Sequence, residues 1–187
     1  MSRGKIVAIL GPMFSGKTTE LMRLGRQYIH AKKKCLYLKH SKDMRYSPDN
    51  SLLINHNQDA ISAVPVDELV IQSDYDKYDV ILIDEGQFFK DLSLFCNHYA
   101  DTGKVVIVSA LNARSNRKPW EEISNLVACA TIIHHLRAVC VDCGKSAEYT
   151  HCLHGNTGEV LEGGSETYEP LCRPCYVKKN KTVLFVQ

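Results

Sequence analysis

The sequence predicts an α/β fold: a parallel sheet flanked by helices, with a small unit appended near its C-terminal end. Three observations carry this. Over residues 1–137 short apolar runs alternate with longer amphipathic ones, as in successive βαβ units. A glycine-bounded loop joins the first apolar run to the first amphipathic one. From about Cys140 the texture changes to Cys, Gly and polar residues with little periodicity. The predicted boundaries are 1–137 for the α/β unit, 138–178 for the appended unit and 179–187 for a tail.

Each element has a local reason. Lys5 to Leu10 is a short apolar run ending at glycine, as a buried strand does. Lys17 to Lys34 is predicted helical, with Leu21, Leu24, Tyr28 and Ile29 on one face. Its closing lysines, Lys32 to Lys34, would suit the negative end of the helix dipole. Cys35 to Lys39 is the next strand. Asp43 to Asn57 is polar and turn-rich, with a weak strand at Leu52 to Asn55. Val80 to Ile83 is a compact apolar strand ending in Asp84-Glu85, and Leu92 to Ala100 is a helix. Lys104 to Ala110 is the strongest strand, and a helix follows from Pro119 to Ala128. His134-His135 closes another apolar run, and Trp120 is assigned to core or helix-cap packing. The final KKNKTVLFVQ reads as a docked strand or a frayed tail.

Composition narrows the class. The chain has 187 residues, 44% of them hydrophobic, enough for a real core without a disulfide scaffold. Lys and Arg number 23 against 21 Asp and Glu, so no global charge points to nucleic acid. No run approaches the roughly 18 apolar residues of a membrane span. The start does not read as a secretory leader, since Ile6 to Leu10 is cut by Gly11-Pro12. A reducing, cytoplasmic setting is expected, in which the 8 cysteines serve as thiols or metal ligands.

Gly11-Pro12-Met13-Phe14-Ser15-Gly16-Lys17-Thr18 matches the phosphate-binding pattern GxxxxGK[ST], with a strand before it and a helix after it. Backbone N–H groups in such a loop close around phosphate oxygens, and the helix start adds positive potential. Lys17 would reach the β- and γ-phosphates of ATP, and the Thr18 hydroxyl would ligate Mg²⁺. Proteins with this loop place an Asp at a later strand end, near the metal; Asp84 fits. Glu85 follows, and its side chain points elsewhere. One carboxylate would serve the metal and the other would take a proton. The alternative is a merely polar strand terminus.

Cys140-x-x-Cys143 and Cys172-x-x-Cys175 offer four thiolates, a set suited to structural Zn²⁺ with no open position. Redox cysteines are the rival reading. Residues 144–171 separate the pairs, a longer gap than the roughly 15–20 residues of a zinc ribbon. The metal would staple the ends of a loop with its own task. Within it Gly163-Gly164 would allow close approach by a substrate, and Tyr168 would stack on a ring or simply pack. His151, Cys152 and His154 are rival ligands that a complete quartet makes unnecessary. Cys35, Cys96, Cys129 and Cys152 read as small buried apolar residues. Together these features describe a small phosphotransferase whose acceptor presents an alcohol for Glu85 to deprotonate.

The chain then resembles the zinc-containing thymidine kinases of the cellular and poxviral type, from Lys5 to Tyr176. GPMFSGKTTEL (Gly11 to Leu21), SKDMRY (Ser41 to Tyr46) and DEGQFF (Asp84 to Phe89) are similar to that family's motifs. So are RKP (Arg117 to Pro119), AVCVDC (Ala138 to Cys143), GGSETY (Gly163 to Tyr168) and CRPCY (Cys172 to Tyr176). The resemblance implies ATP-dependent phosphorylation of thymidine and deoxyuridine at the 5′-hydroxyl, in pyrimidine salvage for DNA synthesis. It implies Glu85 as base, Arg45 steadying it or the transferring phosphoryl group, and Mg²⁺ near Thr18, Asp84 and Asp43. Met13, Phe88, Leu111, Thr150, Leu161, Gly163, Gly164 and Tyr168 would surround the nucleoside, the zinc-bounded segment closing over the base as a lasso. It also implies a homo-oligomer, tetramer or dimer, with feedback by thymidine triphosphate, and neither a nucleic-acid nor a membrane partner.

Two departures stand out. The family usually follows Leu111 with Asp-Gly-x-aromatic, where this chain has Asn112-Ala113-Arg114-Ser115, so the aromatic is missing at Ser115. The lasso carries Glu159 and Glu162 where apolar residues are usual. Rival readings are another deoxynucleoside kinase on the same scaffold, an ATP-dependent nucleic-acid protein, and a nucleotide-binding module without catalysis.

Overall fold

The computed structural model describes residues 4–41, 51–55, 59–155, 161 and 163–184, with side chains to 180. Six strands form one parallel sheet: β1 (Lys5–Gly11), β2 (Cys35–His40), β5 (Val64–Val66), β6 (Val80–Ile83), β7 (Val105–Leu111) and β8 (Ile132–His135). Their order is β5-β2-β6-β7-β1-β8. A short antiparallel pair, β3 (Leu52–Ile54) and β4 (Ala60–Ser62), is not paired with that sheet but buries Leu53 against one of its faces. Helices α1 (Lys17–His30), α2 (Leu92–Asp101) and α3 (Glu121–Cys129) cover the sheet.

The inner strands β1, β2, β6 and β7 read as mostly apolar runs because both faces of the sheet are buried there. Alternation in β1 shows it. Ile6, Ala8 and Leu10 join one core with Phe95, Tyr99 and Leu126 from α2 and α3. Val7 and Ile9 join the other with Leu21 and Met22 from α1. On that second side Gly25 of α1 lies against Tyr37 of β2: a Cβ at Gly25 would come within 1.8 Å of the phenol oxygen. The space a side chain would fill is taken by a hydroxyl that is buried with no hydrogen-bond partner among the described residues. Burial pushes the Tyr37 phenol up to about 12. Tyr37→Phe removes a desolvated polar group and no hydrogen bond, so urea denaturation should show unchanged stability or a gain of up to about 1 kcal/mol.

The first helix stops short of its predicted end. It closes at His30, and Lys32 takes a left-handed conformation with φ 61°. The lysine run therefore lies in the turn to β2, where Lys33 approaches Asp79 at 3.7 Å. The backbone N–H of Lys34 holds the Asp79 carboxyl below its usual range.

After β8 the chain builds a separate small unit. It pairs β9 (Ala138–Val139) with β10 (Ser146–Ala147), and β11 (Tyr149–Cys152) with β12 (Tyr168–Leu171). Its own core holds Ala138, Cys140, Ala147, Leu171, Cys172 and Tyr176. Residues 178–184 of the predicted strand or frayed tail are helical instead, as part of α4 (Arg173–Leu184), and 185–187 lie outside the described residues. Lys179 fixes that helix, reaching Glu169 at 2.6 Å and Asp142 at 3.1 Å.

Candidate active site

The phosphate loop leaves the C-terminal end of β1, where open α/β sheets place their ligands. Gly16 sits at φ 80°, a left-handed conformation that costs glycine little, and so starts α1 beneath the loop. Lys17 is buried, and its Nζ donates to the Pro12 carbonyl at 2.8 Å. The side chain thus folds back over the concavity that phosphate oxygens would fill. Ser15 Oγ donates to the same carbonyl at 2.8 Å.

The acidic strand β6 is not the neighbour of β1: β7 runs between them. Asp84 bridges that gap. Its carboxylate accepts the Thr18 hydroxyl at 3.0 Å and also accepts the hydroxyl of Ser109, a buried polar residue of β7. Thr18 and Asp84 therefore converge as hard oxygen donors at the start of α1, a set that fits the Mg²⁺ of a bound nucleotide. Ser109 was missed by sequence reasoning, though a serine in so apolar a strand was the available signal.

Glu85 is buried and stands at φ 53°, ψ 42°, in the left-handed region. A non-glycine residue there costs of order 1–3 kcal/mol, and such residues gather at functional sites. The strain turns the chain out of β6 into the short 3₁₀ turn Gly86–Phe88. Gln87 lies in that turn, donating from Nε2 to Glu85 Oε2 and accepting the Leu111 N–H at 3.0 Å through Oε1. Phe88 is exposed at the rim, edge-on to Trp120 with centroids 6.0 Å apart. Trp120 is buried at the start of α3, and Arg114 stacks on its face at 4.0 Å. A flat cation thus lies one residue from the position where the aromatic is missing.

The appended unit is fastened to the phosphate loop. Thr150 Oγ1, buried in β11, accepts the Met13 N–H at 2.9 Å. Phe14, left-handed at φ 64°, packs its ring on the unit's core. The loop position Phe14, predicted to bind nucleotide, therefore also docks the appended unit. Tyr176 of α4 donates its hydroxyl to the Ser115 carbonyl at 2.6 Å, and Asn112 Nδ2 donates to the Glu148 carbonyl at 3.2 Å. Thr150→Val should strand the Met13 N–H and lower stability by about 1–3 kcal/mol. Urea denaturation of the two proteins measures it.

Cys140, Cys143, Cys172 and Cys175 bring their sulfurs within 4.8 Å of one another, and Cys143 and Cys172 stand 3.6 Å apart. Tetrahedral Zn–S bonds of about 2.3 Å put sulfurs about 3.8 Å apart, so the quartet fits a structural zinc ion. Burial pushes the Cys140 thiol up, but N–H groups of Cys172, Asp142 and Cys143 outweigh it and hold the thiol at about 6. His151 is outside the cluster; its ring packs on Tyr176, and burial lowers its pKa.

Tyr168 is buried at the foot of the lasso, its hydroxyl bonding both the N–H (3.0 Å) and the carbonyl (2.9 Å) of Leu161. Its hydroxyl thus shapes the loop backbone. Gly163 and Gly164 lie beside Glu166, which accepts the Gly164 N–H. Leu111 ends β7 in register with Gly11. Asp43 and Arg45 lie outside the described residues, as do Glu159 and Glu162. Of the four unpatterned cysteines Cys96 and Cys152 are buried, while Cys35 and Cys129 are half-buried.

A solved structure, the flagellar accessory protein FlaH of Methanocaldococcus jannaschii, superposes with a TM-score of 0.52 over 78% of this chain and 76% of that one. At 16% identity that likeness speaks for the fold alone. The cytosolic thymidine kinase of Bos taurus is 46% identical over 95% of this chain and 74% of its own length. The thymidine kinase of Yaba monkey tumor virus is 43% identical over 95% of this chain and 97% of its own. The family model described as thymidine kinase matches residues 4–176, nearly the whole of the described α/β sheet and the cysteine unit, and so the chain belongs to the thymidine kinase family.

Proposed function

We propose that the protein transfers the γ-phosphate of ATP to the 5′-hydroxyl of thymidine, and of deoxyuridine, with Glu85 as general base. The observation that carries this reading is the placement of Glu85. It is a buried carboxylate on a left-handed turn one residue beyond Asp84, whose own carboxylate bonds Thr18 of the phosphate loop. Phosphoryl transfer depends on positioning and charge stabilisation, and the acceptor hydroxyl needs a group to receive its proton.

Residue roles follow from placement. The loop Gly11 to Thr18 would cradle the triphosphate, with Lys17 turning from the Pro12 carbonyl to phosphate oxygens. Thr18 and Asp84 would hold Mg²⁺ with Asp43 near it, and Arg45 would steady the base or the transferring phosphoryl group, as the family resemblance implies. When bound, the metal would supply positive charge that offsets the negative charge of the triphosphate. Phe88, Met13, Leu111 and Thr150 would bound the nucleoside, and the lasso at Leu161, Gly163 and Gly164 would close over the base through backbone groups. A backbone N–H and C=O match the edge of thymine and leave unpaired buried groups against cytosine, a mismatch of about 1–3 kcal/mol per group. The cysteine quartet would hold structural zinc. By the same resemblance the reading extends to a homo-oligomer, to inhibition by thymidine triphosphate and to the cytoplasm.

A substrate panel tests the assignment. With Mg²⁺-ATP, thymidine and deoxyuridine should be phosphorylated and deoxycytidine and purine deoxynucleosides should not. Equal use of deoxycytidine would favour a different deoxynucleoside kinase, with its pocket reshaped around Arg114 and Ser115.

A further inference from the structure

Gln87 touches the carboxylate that the proposed chemistry needs, and no motif assigns it a role. Its amide has two unlike ends. The Leu111 N–H can only donate, so it takes the amide oxygen (3.0 Å) and leaves the NH₂ facing Glu85 Oε2. The direction of the amide is thereby set by backbone, not by solvent. Leu111 is the last residue of β7 and pairs in register with Gly11, the first residue of the phosphate loop. Asn112 continues the tie by donating its N–H to the Gly11 carbonyl at 3.2 Å. One buried side chain therefore links the orientation of Glu85 to the end of β7, in register with the end of β1 that leads into the phosphate loop.

Such a link answers a need. Glu85 has left β6 for a left-handed turn, so the sheet no longer fixes where its side chain points. A misplacement of about 1 Å in a reacting group can cost roughly 10²-fold in rate. We propose that Gln87 is a positioning residue: its amide NH₂ holds the Glu85 carboxylate aimed at the acceptor hydroxyl, in register with the phosphate loop. The inference rests on Glu85 being the base.

Two substitutions separate this from a purely structural role. Gln87→Met keeps the volume and removes both polar ends. Gln87→Glu keeps an acceptor for the Leu111 N–H but turns a second carboxylate toward Glu85. Both should lower kcat for thymidine by roughly 10–100-fold, while KM for ATP changes less than about twofold. In a Glu85→Gln background Gln87→Met should cost no further rate, because the group it positions is gone. Wild-type kcat in Gln87→Glu would show that Gln87 merely satisfies Leu111 and would overturn the proposal, even if Gln87→Met fails to fold. Near-normal kcat in Glu85→Gln alone would instead sink the base assignment beneath it.

Discussion

Glu85→Gln should lower kcat for thymidine phosphorylation by roughly 10²–10⁴-fold while ATP binding stays within about twofold of wild type. The substitution is nearly isosteric and keeps an oxygen for the Gln87 amide to bond, so the turn at Gly86–Phe88 should persist. Only the capacity to take a proton is lost. The phosphate loop, Asp84, Thr18 and Ser109 are untouched, so ATP affinity should not follow the fall in rate. Quenched-flow turnover and equilibrium ATP titration read the two quantities separately. Turnover near wild type would mean that the proton leaves by another route.

Cys172→Ser should have an effect as large, through folding. Structural zinc sites of small units contribute apparent binding free energies of about 10–16 kcal/mol, and the fold of the unit depends on them. The small core of Ala138, Ala147, Leu171 and Tyr176 has little else to close it. Its loss would release Phe14 from its packing site and take away the acceptor of the Met13 N–H, so the phosphate loop should loosen with it. Wild-type protein is expected to carry about one zinc per chain. The variant should lose that zinc, melt at lower temperature and lose kinase activity. Elemental analysis with calorimetry checks this. A metal-free protein that is fully stable and active would refute the zinc assignment.

Much of this architecture was legible in the sequence because it rests on strong local signals. The apolar runs at Val80–Ile83 and Val105–Leu111 are strands because both faces of the sheet bury them. The phosphate loop and the acidic strand end follow the C-terminal ends of β1 and β6, and the four cysteines cluster in one small unit, as their spacing suggested. What escaped was set by tertiary contacts. The tail TVLFV has strand propensity, yet residues up to Leu184 are helical because Tyr176 and Lys179 anchor α4 to the small unit. The lysine run looked like a helix end, but α1 had already closed at His30 and Lys33 turned to Asp79.

The site's missing partners are of the same kind. Ser109 matters because β7 separates β1 from β6, a strand order that no local pattern states. Gln87 matters because Leu111 ends a strand a long way downstream, close to it only in the folded chain. Phe14 matters for a contact made across the whole chain, with a core that starts at Ala138. Each is a residue whose type was visible and whose neighbour was not.

The reaction proposed for this fold moves the γ-phosphate of ATP to the 5′-oxygen of thymidine with Glu85 as base. The most direct test follows γ-labelled ATP, Mg²⁺ and thymidine with wild-type protein and Glu85→Gln side by side. Labelled thymidine 5′-monophosphate should form with the wild type, and with the variant at no more than about one-hundredth of that rate. Label released to water in place of the nucleoside, or equal product from both proteins, would contradict it.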